Sequence, residues 1–193
     1  MRLVIGISGA SGAVYGIRLL EILAARDDVE THLIVSRSAR LTIPAETDRT
    51  VAEVEALADF HYAPADVSAR IASGSFHTDG MIVAPCSMKT LSAIVHSYSD
   101  TLLTRAADVA IKERRTVALM PRESPLHAGH CKLLYEAALL GAVIAPPMPA
   151  FYNHPSTIDD VVDHSVGRLL DQVGLDAGVV RRWDGLDRPG SEG

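Results

Sequence analysis

Short apolar runs alternate with stretches of helical period from the first residues onward, and this alternation leaves the chain little choice of fold. Arg2–Ile7 reads as a buried strand, residues 12–25 as a helix with Val14, Ile17, Leu20, Leu23 and Ala24 turned inward, and residues 31–35 as a second strand, so a βαβ unit opens the chain. A third strand covers 81–84 and ends at Pro85. Helices follow over 89–98 and 101–113, then a strand over 116–120, a helix over 127–140 and a strand over 142–145. In the helix over 101–113, Leu102, Leu103, Ala106, Val109 and Ala110 share one face, while Asp108 stands four residues before Lys112 on the other, a spacing that suits an ion pair. Thr157 caps a last helix with Asp159 and Asp160 in its first turn and Ile158, Val161, Val162, Val166, Leu169, Leu170 and Val173 inward. The expected fold class is α/β, a single doubly wound, Rossmann-like sheet, mostly parallel, with helices on both faces.

At 193 residues, 48% hydrophobic and 22% charged, the chain has material for one core, expected over 1–183, and a loose Gly- and Asp-containing tail over 184–193. A formal charge of −6 argues against nucleic acid, whose phosphates call for a concentrated positive face. The apolar runs are too short for a signal segment or a membrane span. Two cysteines, Cys86 and Cys131, lack the spacing of a disulfide framework or a zinc site, so a reducing cytoplasm is the expected location.

Three segments carry the chemistry. Gly6 to Gly12 joins the first strand to the first helix, where small residues let backbone amides approach a phosphate; read more plainly, it is a tight turn with Ser11 as helix cap. No acid ends the second strand and no Gly-Lys-Ser/Thr follows the loop, which weakens dinucleotide and Walker readings and leaves a mononucleotide phosphate, with Ser11 and Ser36 as neutral donors. Ala84 to Thr90 leaves the third strand for a helix, so Ser87 and Thr90 are candidate ligand donors and Met88 either touches a flat ring or enters the core. Met120 to Leu126 follows another strand and projects Arg122 and Glu123 to the same edge, as an anion fork beside a proton carrier or as a surface ion pair. Cys86 reads as a buried inert thiol. His127 and His130 lie one turn apart without further ligands, so no metal is expected. Tyr152 and Arg168 read as a packed ring and a solvated cation that could each reach a phosphate.

Taken together, GISGASG, APCSMKT, TRAADVAIKERR, MPRESPL and PPMPAFYNHP resemble the UbiX-type flavin prenyltransferases in order and spacing, from the first strand through Trp183. The resemblance implies a homo-oligomeric flavoprotein, often a dodecamer, with FMN where subunits meet. It implies FMN contacts at Gly9, Ala10, Ser11, Ser36, Ser87, Met88, Lys89, Thr90 and Arg122. It also implies a phosphate cluster for dimethylallyl monophosphate at Lys112, Arg122, Tyr152 and Arg168, drawn from more than one subunit. Ser11, Glu46 and Glu123 would be catalytic, with Glu123 as proton relay hydrogen-bonded to Ser11, and Trp183 would stand near the site. The implied reaction joins a dimethylallyl unit to N5 and C6 of reduced FMN without metal, for use by a UbiD-type decarboxylase. Two rivals are a non-catalytic FMN-holding subunit and an FMN-dependent cysteine decarboxylase. The second fits poorly, because the family's Pro-Ala-Ser-Ala-Asn-Thr run is Pro85-Cys86-Ser87-Met88-Lys89-Thr90 here.

Overall fold

The computed structural model describes residues 1–180, 182, 183 and 185. The tail expected over 184–193 therefore lies, Gly185 apart, outside the described residues. Strands β1 (Arg2–Ile7), β2 (Glu30–Val35), β3 (Phe60–Tyr62), β4 (Gly80–Cys86), β5 (Thr116–Pro121) and β6 (Val143–Ile144) form one sheet in the order β3-β2-β1-β4-β5-β6, every pairing parallel. The helices are α1 (Ala13–Ala24), α2 (Ala39–Glu46), α3 (Val51–Glu55), α4 (Met88–Val95), α5 (Leu102–Lys112), α6 (Ala128–Leu139) and α7 (Ile158–Gln172).

Strand pleating sorts the core into two layers. Leu3, Ile5 and Ile7 of β1, with Ile82 and Ala84 of β4, face α1, α2 and α7, where Ile17, Leu20, Ile43, Val166 and Leu169 meet them. Val4, Met81, Val83, Val117 and Leu119 face the other way, against Leu91 and Ile94 of α4, Leu102, Leu103 and Ala106 of α5, and Ala137 of α6. Each fully buried leucine or isoleucine contributes roughly 1.5–3 kcal/mol.

Several local expectations are corrected. Val14 and Ala24 face outward on α1, whose inner stripe is Ala13, Gly16, Ile17, Leu19, Leu20 and Leu23, because Gly16 rather than a larger residue must lie against the sheet. Gly12, in the left-handed region at φ 104°, caps that helix in place of Ser11. β4 runs through the cis Ala84–Pro85 bond to Cys86. Ile158 is 81% exposed, since the first turn of α7 overhangs the core. Asp108 pairs with Arg105 at 2.9 Å, one turn back, and Lys112 pairs with Glu113 at 2.5 Å instead of reaching Asp108.

Thr157 does cap α7. Its hydroxyl accepts from the Asp160 amide at 3.1 Å, and the Asp160 carboxylate accepts from the amides of Ser156 and Thr157 at 2.8 and 2.9 Å. Those amides, with both hydroxyls, lower the Asp160 carboxyl from its ordinary 3.8 to about 2. A lowered folded-state value means stability that is full above the unfolded value and is lost as pH falls through the folded one. Asp160→Asn should therefore lower the melting temperature at pH 6 and close that gap with the native chain between about pH 4 and pH 2, which thermal melts across that range will check.

Candidate active site

In an open parallel sheet, ligands bind at the carboxyl ends of the strands where the winding reverses, here between β1 and β4. Ser8, fully buried at the end of β1, joins the two strands: its amide and hydroxyl both donate to the Pro85 carbonyl, at 3.1 and 2.9 Å, and its oxygen accepts from the Ser87 amide at 2.7 Å. Ser87 then caps α4, accepting from the Thr90 amide at 3.2 Å and donating to the Thr90 hydroxyl at 3.1 Å. On the β2 side, the Ser36 amide donates to the Ile7 carbonyl at 2.9 Å, and its hydroxyl oxygen accepts from the Ala39 amide at 3.1 Å. Gly9 permits the turn after β2 to close in, since a Cβ there would lie 2.1 Å from the Ser38 Cβ.

These turns enclose a cavity of about 320 Å³. Gly9, Ser36, Ser87, Lys89 and Thr90, all expected from the sequence, line it together with Arg37, Ser38, Asp100, Thr101 and Thr104, which were not expected. Thr101 was visible in the sequence only as the start of an amphipathic helix, and it does cap α5; its wall position follows from the packing of α5 beside α4. A shallower depression of about 440 Å³ shares Lys89, Ala93 and Asp100 and extends past Tyr98. Ala10 is buried beside the loop, and Met88 packs among the apolar residues under α4 and α5. A hollow of about 760 Å³ between α1 and α7 has Arg18, Glu21, Arg49 and Asp163 in its lining, and these satisfy one another: Arg18 holds Asp163 at 2.6 Å and Arg49 holds Glu21 at 2.7 Å. Asp48, Glu53 and Asp159 line it as well, so its remaining charge is acidic and suits no phosphate.

Glu46, the last residue of α2, reaches the first turn of α1. Its carboxylate accepts from the amides of Gly12 and Ala13 at 2.8 and 3.0 Å, with the Ser11 hydroxyl beside it. Partial burial pushes this carboxyl up, but the two amides, Ser11 and the charge of Arg122 together outweigh it and hold Glu46 below the ordinary glutamate value. Arg122 is fixed at the end of β5 by its amide, which donates to the Cys86 carbonyl at 3.2 Å. The same guanidinium acts on Tyr15, whose phenol burial raises and Arg122 partly lowers again. Glu123 accepts from the Ser124 amide at 3.1 Å. Among the described residues the Ser11 hydroxyl stands beside Glu46, where the loop after β1 turns toward α2, and Glu123 makes its hydrogen bond to the Ser124 amide. Arg122 and Glu123 form no ion pair among the described residues.

Of the expected phosphate cluster, Lys112, Tyr152 and Arg168 do not line this cavity. Lys112 ends α5, one connection before β5 begins, and so belongs to the opposite edge of the sheet. Arg168 lies about 15 Å along α7 from its start and pairs with Asp171 at 2.7 Å. Tyr152, half-exposed, packs edge-on against Trp183 and His164, with ring centroids 5.4 and 5.9 Å away.

Burial drives the Cys86 thiol up to about 12, so it stays protonated at neutral pH. Iodoacetamide should leave Cys86 unlabelled in the folded protein and modify it on denaturation, read by peptide mass. The His127 and His130 rings lie 3.6 Å apart, and His127 Nδ1 accepts from the Gly129 amide. Among the described residues no group of three metal-ligating side chains occurs, and no helix is long and apolar enough to cross a membrane.

Hydroxyl donors and cations at the reversal point of a 3-2-1-4-5-6 sheet define a mononucleotide-holding α/β protein, and the Flavoprotein family model matches residues 1–170. The flavin prenyltransferase UbiX of Escherichia coli K12 is 55% identical over 186 residues, covering 95% of this chain and 98% of that protein; that of Thauera aromatica is 54% identical over 185 residues, covering 96% and 95%. Among solved structures, a dodecameric FMN-dependent UbiX-like decarboxylase from Escherichia coli O157:H7 superposes with TM-score 0.94 at 52% identity, covering 96% of this chain and 100% of that one. AnUbiX (PadA1) in complex with FMN and dimethylallyl pyrophosphate gives 0.93 at 48% identity, covering 96% and 98%. The chain belongs to the UbiX family of flavin prenyltransferases. The FMN-dependent cysteine decarboxylase TvaF, 16% identical with TM-score 0.64, shares the fold alone.

Proposed function

We propose that this chain transfers a dimethylallyl group from dimethylallyl monophosphate to reduced FMN, first at N5 and then at C6, releasing inorganic phosphate, and that a UbiD-type decarboxylase uses the product. The carrying observation is the crevice itself. Hydroxyls of Ser36, Ser87 and Thr90, with Lys89, suit a nucleotide monoester, and Glu46 is held ionised by the Gly12 and Ala13 amides with the charge of Arg122 acting on it. The donor set fits FMN: neutral donors and cations match a phosphate and a polyol, and no carboxylate but Asp100 lines the cavity. Reduced FMN, when bound, would supply the nucleophilic N5 and C6: the ester's carbon–oxygen bond would break as the carbon–nitrogen bond forms and N5 gives up its proton, and closure would add one proton to the alkene carbon and remove one from C6, so that this chain's carboxylates have a proton both to take and to return.

This chain's residues provide the rest. Arg122 holds the departing phosphate, and Glu46, with Ser11, accepts a proton near the loop after β1; Glu123 is the second carboxylate on that rim. Lys112, Tyr152 and Arg168 complete the anion site from neighbouring copies, since none of them lines the crevice of its own chain. A homo-oligomer, dodecameric like the Escherichia coli O157:H7 relative, brings them in; the domain spans 1–183 and works in the cytoplasm without metal or nucleic acid.

Anaerobic incubation with reduced FMN and either dimethylallyl monophosphate or the diphosphate tests this by flavin mass and absorbance. A gain of one five-carbon unit is expected, and an unchanged flavin with both esters overturns the reading. The decarboxylase name of one relative favours a second reading, which release of carbon dioxide from an aromatic acid by this protein alone would support.

A further inference from the structure

We propose that Arg37 is the residue that makes the crevice select a phosphorylated flavin, by gripping the flavin phosphate together with the hydroxyls of Ser36 and Ser38. The inference rests on the crevice being a flavin site and assigns one corner of it.

Charge distribution comes first. Most basic side chains of this acidic chain are neutralised by a carboxylate, and among the described residues six are not: Arg37, Arg70, Lys89, Arg114, Arg115 and Arg122. Arg70 lies over the Phe60 and Phe76 rings, and Arg115 donates to the carbonyls of Phe76 and Gly74. Of the remaining four, Arg37 and Lys89 line the cavity, and Arg122 stands at the same rim. Cations without partners gathered in one place on a net-negative protein mark a place for an anion.

Position separates Arg37 from the other two. The usual anion seat after a first strand is the opening turn of the first helix. Here Glu46 already occupies it, taking the Gly12 and Ala13 amides, and a second anion there would meet a carboxylate. The phosphate is thereby directed to the other side of Gly9. The close approach of Gly9 to Ser38 forms a corner of Gly9, Ser36, Arg37 and Ser38. The Ser36 oxygen accepts from Ala39, which leaves its proton to donate outward, and the Ser38 hydroxyl makes no bond to the start of α2. A guanidinium between two hydroxyls is a donor set for a phosphomonoester.

The test is binding of oxidised FMN and of riboflavin, by flavin fluorescence quenching, to the full-length assembled protein and to Arg37→Gln and Arg37→Lys. Arg37→Gln should weaken FMN by about ten- to a hundred-fold while leaving riboflavin unchanged. Arg37→Lys should fall between, and the native preference for FMN should shrink as salt rises. Unchanged FMN binding in Arg37→Gln, or an equal loss of both flavins, overturns the assignment. Failure of the native protein to bind either flavin overturns the crevice reading itself, and the assignment with it.

Discussion

Glu46→Gln is expected to slow prenyl transfer about 10²-fold or more, the scale of a positioned proton carrier, while FMN still binds. The native carboxylate faces two amides at the start of α1, and its negative charge complements that helix end by about 0.3–1 kcal/mol, so the variant should also melt slightly lower. Its lowered value sets the sign with pH: activity and stability that depend on the ionised form are full above the ordinary glutamate value of 4.5 and decline as acid takes the pH through the lower folded value. The variant should lose that acid limb in a pH–rate profile. Glu123→Gln, which removes no helix contact, should slow transfer with no shift in melting. A Glu46→Gln protein with native turnover would remove Glu46 from the mechanism.

Gly16→Ala should be strongly destabilising although it adds a single methyl. A Cβ at this position would lie 2.3 Å from the Ala84 carbonyl oxygen and 2.8 Å from the Ile7 Cγ1, in the seam between α1 and the sheet. Alanine ordinarily favours a helix over glycine by about 1 kcal/mol, but a main-chain oxygen cannot turn aside as a side chain does. Overpacking of a closed core costs about 1–3 kcal/mol or more, and for a chain of this size each kcal/mol lowers melting by roughly 2–4 °C. Because Ala84 leads directly into Pro85, Cys86 and Ser87, displacing it also moves the crevice floor, and FMN affinity should fall with stability. A melt and a flavin titration on the same preparation test both, and an unchanged melting temperature would refute the packing argument.

Much of the architecture was legible because β1, β4 and β5 are mostly apolar runs buried on both faces and β2 ends in Leu33, Ile34 and Val35, a pattern visible without neighbours. The stretch between β2 and β4 was not read. There α2 carries Pro44 within it, α3 has five residues, and β3 has three residues at a half-exposed sheet edge, so none is long enough to establish a period. That gap hid the most consequential contact in the site, Glu46 on the start of α1, although the resemblance had already marked Glu46. Ser36, Ser87 and Thr90 were found because each lies at or just past a strand end, and Gly9 because it falls in the glycine loop after β1, whereas Lys89 came only from the resemblance. Arg37, Ser38 and Asp100 were not, because a wall residue has no signature of its own; it is defined by which loops meet, and that depends on Gly9 and on the docking of α5.

The Ser8 hydroxyl, closed upon Pro85 and Ser87, means that the seat is finished before any guest arrives. Little main-chain freedom has to be surrendered there on association, so the heat-capacity change of flavin uptake should reflect the dehydrated ring surface and not the ordering of a loop.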